Sequence, residues 1–326
     1  MRLLPGLLLC VAIAGISTLV GKWAPIVGGP VFAIVTGVAI AACRPPAAIL
    51  EPGTSFAAKT LLQWSIVLLG AQLSLSQIAH GGAASLPVML GTFAIVVTLA
   101  YVFGRLLGLD RDLRRLLAIG TAICGASAIA ALSSVIEVDP SDVAYALAAV
   151  FLFNVIAVLV FPPLGHLLAL SQSAFGLWAG TAINDTSSVV AAAFAYGHAA
   201  GNASIVVKLT RTLLIVPVVS FYAWKRLWSR GPQDRPLEWR KLVPWFIVWF
   251  LAAATAQSMG LIPALWQAPL QTAAIFGIVV ALAGVGLGAD VGRMRSAGLR
   301  PLALGAILWV AIAWSSLAIA HLARIE

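Results

Sequence analysis

Eleven stretches of this chain, each about twenty residues long, carry almost no charge. They cover residues 3–20, 27–43, 58–79, 84–106, 116–136, 142–168, 174–197, 203–224, 243–260, 268–289 and 300–322. A helix rises 1.5 Å per residue, so about twenty apolar residues cross the roughly 30 Å hydrocarbon layer of a bilayer. In hydrocarbon every backbone N–H and C=O must be paired internally, which leaves helices or a closed barrel. The stretches are too long and too evenly apolar for the alternating strands of a barrel. The expected fold class is an all-α polytopic membrane protein with about eleven transmembrane helices.

Composition supports that expectation. Of 326 residues 61% are apolar and 10% charged, against about 45–50% and 25% in a soluble domain. The net charge is +9, from 20 basic and 11 acidic residues. In a soluble protein that excess suggests nucleic acid. In a membrane protein it marks the cytoplasmic loops, so no nucleic-acid partner is expected. With the N-terminus inside, sixteen of the twenty basic residues fall on the inner side, and only Lys22 and Arg324 on the outer. The expected setting is a bacterial inner membrane, N-terminus cytoplasmic and C-terminus outside. Residues 225–242 form the longest and most basic loop. The acidic turn of Glu137, Asp139 and Asp142 falls outside in this scheme. The run after Met1-Arg2 reaches Val20 without an Ala-x-Ala cleavage site, and reads as a retained first helix. Cys10, Cys43 and Cys124 are too scattered for a disulfide framework or a zinc site. No GxxxxGK[ST] motif is present, so ATP is not the direct energy source within this chain. No cofactor and no enzymatic activity are expected.

An odd helix count suggests one extra helix (1–26) and two inverted units of five (27–172 and 173–326), a plan common in secondary transporters. Two internal echoes fit duplication. Leu69-Gly70-Ala71-Gln72-Leu73 resembles Gly284-Val285-Gly286-Leu287-Gly288, and Gly120-Thr121-Ala122-Ile123 recurs as Gly180-Thr181-Ala182-Ile183. The two echoes do not fit the same five-plus-five alignment.

Polar residues concentrate in three of the apolar stretches. The fifth carries Thr121, Cys124, Gly125 and Ser127, where a glycine-broken helix exposes N–H groups suited to an anion. Judged on this stretch alone, small-residue helix packing is the better reading. The seventh carries Thr181, Asn184, Asp185, Thr186, Ser187 and Ser188. An acid at mid-membrane costs about 2.5–3.5 kcal/mol, so it implies a partner or a role. Asn184 and Asp185 can serve one cleft only if the helix unwinds between them. The eighth carries Lys208 and Arg211 on one face, either snorkelling to the outer interface or meeting Asp185. Two cations and one acid leave the cluster net positive, which favours an anion. Asn154 and His166 rank lower, as hydrogen-bonded core or interface residues.

Residues 120–129, Gly176-Leu177-Trp178-Ala179-Gly180-Thr181 with Val189-Val190-Ala191-Ala192, and Val207-Lys208-Leu209-Thr210-Arg211 resemble the sulfate-exporter family, the YeiH-like bacterial inner-membrane proteins. The resemblance spans nearly the whole chain from about residue 27. It implies the inverted-repeat architecture of bile-acid and sodium/proton transporters, with two discontinuous helices crossing at mid-membrane. One would be the fifth helix. Its partner would be the tenth, with Gly277, Gly284, Gly286 and Gly288, and the seventh would line the same site. The family pattern reads Ile-His-Glu-Val-Ala where this chain has Ile183-Asn184-Asp185-Thr186-Ser187. The acid is kept in shortened form, but no imidazole is available to titrate there.

The expected function is secondary transport, as export, of a small anion such as sulfate or a sulfonate. Thr121, Cys124, Gly125, Ser127, Thr181, Asn184, Thr186, Ser187, Lys208 and Arg211 would bind it, with Asp185 coupling to H⁺. The alternative is Na⁺ coupling, with Na⁺ near Asn184 and Asp185, hard oxygen ligands suiting that ion. A channel, or a hydrolase built on Ser127 and Lys208, is a further reading. The expected partners are the bilayer, the anion and a second copy of the chain.

Overall fold

A computed structural model describes residues 3–23, 28–43, 47–136, 138–230, 245–289 and 298–323. Glu137, most of the 225–242 loop, and Arg2, Arg44, Arg235, Arg240, Lys241, Arg293, Arg295 and Arg324 lie outside the described residues. The described chain is helical, with no strand.

Its helices are α1 (Leu4–Trp23), α2 (Gly28–Cys43), α3 (Glu51–Phe56), α4 (Leu62–Gly70), α5 (Leu75–Leu106), α6 (Arg111–Ala122), α7 (Ala126–Ser133) and α8 (Pro140–Leu167). They continue as α9 (Gln172–Ala182), α10 (Thr186–Tyr196), α11 (His198–Thr212), α12 (Ile215–Arg230), α13 (Trp245–Ser258), α14 (Ala264–Leu287) and α15 (Leu299–Leu322). A π-helical turn, Ala57–Leu61, joins α3 to α4. Six of the described helical segments are long and apolar enough to cross a membrane, among them α1, α5, α8, α14, α15 and the continuous run His198–Arg226.

The break between the third and fourth expected stretches moves. It falls at Ala71–Ser74, where Ser74 and Gln77 form a reciprocal capping box that starts the 32-residue α5. Gly81 and Gly82, the expected turn, lie inside α5.

The fifth and seventh expected stretches are not spanning helices, broken or otherwise. Each is a hairpin of two short helices. Phe175 near the start of α9 stacks on Tyr196 at the end of α10, ring centroids 3.9 Å apart. In a continuous helix these residues would lie about 30 Å apart. The Tyr196 hydroxyl donates to the Leu170 carbonyl (2.5 Å), and Gln172 Oε1 accepts from the N–H groups of Ala199 and Ala200 (2.9 and 3.3 Å). These bonds close the base of the hairpin. In the first hairpin, a Cβ on Gly120 of α6 would meet Ile129 of α7 at 2.8 Å, where a straight helix would hold them about 13 Å apart.

The two hairpins hang from opposite ends of α8. The α6–α7 hairpin precedes the first residue of α8 and the α9–α10 hairpin follows its last. Since α8 has 28 residues, those ends lie about 42 Å apart. Arms of 8 to 12 residues reach about 12–18 Å inward from each end, so the tips approach the middle.

The expected broken partner, α14, runs unbroken for 24 residues. Its glycines serve close packing. Gly286 abuts the Ile34 carbonyl of α2, and a Cβ on the facing Gly37 would sit 2.7 Å from the Ala283 carbonyl. Gly284 packs on Thr54 and Gly277 on Ser65. Helices in lipid gain contact by such backbone approach.

Two apolar cores result. One is built by both hairpins with α5, α8, α12 and α15, around Leu116, Ile129, Phe161, Trp178 and Leu308. The other is built by α1, α2, α4, α13 and α14, around Ala14, Ile66, Phe250 and Ile278. α10 and α11 face both: Val189 and Ala192 belong to the first core, and Val190, Ala191 and Ile205 to the second. Each core draws on both sides of residue 172, so the expected repeat boundary does not separate two packing units.

Candidate functional site

The tetrapeptide Gly-Thr-Ala-Ile ends the first arm of each hairpin, at 120–123 and 180–183. The identical echo therefore occupies equivalent places at the two tips. A three-residue tip follows each first arm, Ile123–Gly125 in one and Ile183–Asp185 in the other.

The tips turn differently. In the first, Gly125 adopts φ 69°, ψ −123°, a conformation that L side chains avoid. Its N–H returns to the Gly120 carbonyl (2.8 Å). In the second, Ile183 and Asp185 are extended (φ −84°, ψ 133° and φ −88°, ψ 142°), and Asp185 is the N-cap of α10. Its carboxylate accepts from the Ser188 N–H (3.2 Å) and from the Ser187 hydroxyl. The unwinding expected between Asn184 and Asp185 is present. The tips touch: a Cβ on Gly125 would lie 3.7 Å from the Asn184 Cβ.

Lys208 and Arg211 tie the tips together. Lys208 Nζ donates to the carbonyls of Ile123 (3.1 Å) and Ile183 (2.9 Å), one from each tip. Arg211 Nε donates to Ala122 O and Nη2 to Thr121 O, both at 2.9 Å, and Nη1 donates to Thr181 O. Five carbonyls at the C-terminal ends of α6 and α9 are thus met by two fully buried cations. Those ends carry partial negative charge and orphan acceptors, so cations belong there. The snorkelling alternative is overturned, because both side chains point inward and are 0% exposed. Asp185 forms no ion pair with either; among the described residues the one salt bridge joins Arg115 to Asp112. Tying two tips with two cations outcompetes that pairing because the carbonyls have no other donor.

The remaining expected site residues separate into four groups. Thr181 faces away: its hydroxyl bonds the Leu177 carbonyl (2.7 Å) and shares a 2.5 Å bond with the Ser316 hydroxyl of α15. Thr121, Cys124 and Asn184 are buried at the tips. Ser127, in the first turn of α7, is exposed, and Asp185 and Thr186 are half-buried, so the junction opens on that side. Ser187 is buried and spent on Asp185.

Asn154 is the residue whose importance the sequence understated. It sits at the midpoint of α8, and its Oδ1 accepts from the N–H groups of Asn184 (3.2 Å) and Asp185 (3.3 Å). Its Nδ2 and the Asn184 Oδ1 are buried with no partner. A lone amide at the centre of an apolar 28-residue helix was the available signal. The junction therefore offers one unspent donor, one unspent acceptor, and the first N–H groups of α7, whose N-cap Gly125 supplies no side chain. Among the described residues no cluster of His, Cys, Asp and Glu could hold a transition metal.

Comparison with known proteins places this arrangement in a family. Residues 5–305 match the family model described as conserved hypothetical protein 698. A "UPF0324 membrane protein" of Streptococcus pneumoniae serotype 4 is 39% identical over 322 residues, 96% of this chain and 95% of that protein. One of Streptococcus mutans serotype c is 38% identical over 331 residues, covering 98% and 97%. One of Streptococcus pyogenes serotype M18 is 40% identical over 329 residues, covering 98% and 96%. With a match of that extent, this polytopic helical chain belongs to the UPF0324 family of membrane proteins.

Proposed function

We propose that the protein is a secondary transporter of a small anion, bound where the two hairpin tips meet. One observation carries the reading: two re-entrant hairpins reach the centre of the molecule from opposite ends of α8 and leave unspent polar groups there. Irregular backbone at membrane depth is tolerated where it lines a site, and half-helix N-termini there suit anions. The α7 N-terminus, the exposed Ser127 hydroxyl and the Asn154 Nδ2 donor supply anion ligands. Lys208 and Arg211 hold the tips and supply positive potential, without needing to touch the substrate. Asp185, half-open at the tip, carries the coupling proton.

In this reading eleven hydrophobic stretches make nine crossings and two hairpins. The end of α5, the base of the first hairpin and the start of α15 are cytoplasmic, since Arg105, Arg111, Arg114, Arg115 and Arg300 gather there. Alternating access is motion of the hairpin core against the second core along the α10–α11 face. The resemblance to sulfate exporters supports sulfate or a sulfonate as cargo, exported from a bacterial cytoplasm.

A second reading has its own observation. The partnerless Asn184 Oδ1 and the Asp185 carboxylate are oxygen ligands at one tip, the chemistry that holds Na⁺. The hydrolase reading is disfavoured because the bonds of Lys208 Nζ go to carbonyls and not to Ser127.

Flux of radiolabelled sulfate and small sulfonates through proteoliposomes tests both. Proton coupling gives flux driven by a pH gradient and abolished in Asp185→Asn. Sodium coupling gives flux, and thermal stabilisation, that require Na⁺. Sealed vesicles of folded protein that pass none of a broad anion panel would overturn the transporter reading.

A further inference from the structure

A second polar concavity lies away from the tips, at the base of the first hairpin. It is about 330 Å³ in volume and lined by Arg105 of α5, Arg111, Arg114 and Arg115 of α6, and the rings of Tyr101 and Tyr222. Its floor is apolar, made by Val97 and Ala100 of α5. Four like charges around one cavity repel unless something anionic sits between them. The acids at this base, Asp110, Asp112, Asp139 and Asp142, lie close enough to act on one another, but only one of them pairs with the arginines. Asp112 pairs with Arg115 at 2.8 Å, and no other described acid lies within ion-pair distance of the four.

The guanidinium groups are also held ready. Arg114 lies 5.9 Å from the Tyr101 ring centroid and Arg115 5.7 Å from that of Tyr222. Stacking on an aromatic face fixes the plane of a guanidinium and leaves its N–H edge for a planar or tetrahedral oxyanion. The Arg114 Nη1 atom is buried and has no hydrogen-bond partner. The Arg114 stem crosses Gly104, where a Cβ would lie 2.5 Å from its methylenes. The glycine thus admits the arginine to the cavity. That donor is held at the cavity wall with its hydrogen-bonding capacity unspent.

We propose that this cavity binds a phosphate group, as carried by an anionic phospholipid headgroup. Bidentate guanidinium bonds to the phosphate oxygens satisfy Arg114, and the phosphate's charge reduces the repulsion among Arg105, Arg111 and Arg114. The lipid source follows from position. Tyr101 is 62% exposed on α5, and Leu90, three turns away on the same face, is 54% exposed, which gives an acyl chain an apolar strip beside the cavity. Basic pockets between helices at one membrane interface recognise anionic lipids in this way. The site is independent of the transport reading, since it uses none of the tip residues.

The test uses full-length protein in detergent, stripped of lipid, with thermal unfolding followed by tryptophan fluorescence. The probes are phosphatidylglycerol, phosphatidylcholine and inorganic phosphate. Phosphatidylglycerol is expected to raise the unfolding temperature and phosphatidylcholine is not. The double variant Arg105→Gln, Arg111→Gln changes two exposed side chains and so keeps the fold. It weakens phosphatidylglycerol binding on the order of fivefold for each arginine removed. Arg114→Lys keeps the charge but loses the bidentate edge, and weakens binding further. A rise with inorganic phosphate alone keeps the phosphate site but overturns the lipid as its source. Equal rises with both lipids, or a rise unchanged in the double variant, overturn the site.

Discussion

The two hairpins begin alike and end differently. Each first arm closes on Gly-Thr-Ala-Ile, and each is met at its carbonyl end by both Lys208 and Arg211. The second arms diverge. The α7 arm starts after Gly125 with no side-chain cap, and Ser127 in its first turn is exposed. The α10 arm starts after Asp185, which caps it, and continues Thr186-Ser187-Ser188. Equivalent places in the two hairpins thus hold an uncapped helix N-terminus on one side and a self-capped, acidic one on the other. The common part builds the junction. The divergent part leaves one helix N-terminus without a side-chain cap and gives the other a capping carboxylate.

The largest effect is expected where the tips share their support. Arg211→Ala leaves three buried carbonyls without donors and a side-chain-sized void. At about 1–3 kcal/mol for each unsatisfied buried group, the protein should fail to accumulate or should unfold many degrees lower. Lys208→Met, which keeps the volume and strips two bonds, should cost less. Equal unfolding temperatures for Arg211→Ala and wild type would show that the tips do not depend on this staple.

Next come the residues that make the tips different. Gly125→Ala forces φ 69° on a residue with a Cβ and sets that Cβ 3.1 Å from Val150. Strain of this kind costs about 1–3 kcal/mol. Asp185→Ala removes one N-cap, for about 1 kcal/mol, whereas Asp185→Asn keeps the cap and should cost less. The asymmetry is sharpest if Asp185→Asn keeps the unfolding temperature and loses flux while Gly125→Ala lowers both. Thermal unfolding and vesicle flux on the same preparations measure it.

The smallest effect lies at the base of α8. The Asp139 carboxylate accepts from the Ser141 hydroxyl (2.7 Å) and the Ser141 N–H (2.8 Å), which hold its pKa below the usual 3.8. A depressed carboxyl stabilises the fold above its unfolded pKa and loses that contribution as pH falls through the folded value. Wild type and Asp139→Asn should therefore differ slightly at neutral pH and converge in strong acid, as read by unfolding temperature.

Much of this was legible from residue types. Asp185, Lys208 and Arg211 stand out because an apolar chain with few charges rarely keeps one at depth. Their partners were not legible, because the acceptors are carbonyls, which every residue has. The Gly-Thr-Ala-Ile echo at 120–123 and 180–183 was visible, but the other echo, between residues 69–73 and 284–288, competed with it. Tight α2–α14 packing at Gly37 and Gly286 accounts for that second glycine pattern.

By itself the sequence determined that the chain is helical and membrane-embedded, and which stretches are apolar. Only the tertiary structure decided that two of those stretches double back. A re-entrant hairpin and a spanning helix bury the same number of apolar residues, so hydropathy does not separate them. Charge does not separate them either. Exchanging two crossings for two hairpins on either side of α8 reverses α8 alone, and residues 136–143 and 167–173 contain no lysine or arginine. What separates them is a contact between residues far apart in sequence, Phe175 on Tyr196 and Gly120 against Ile129. Such a contact exists only once the chain has turned.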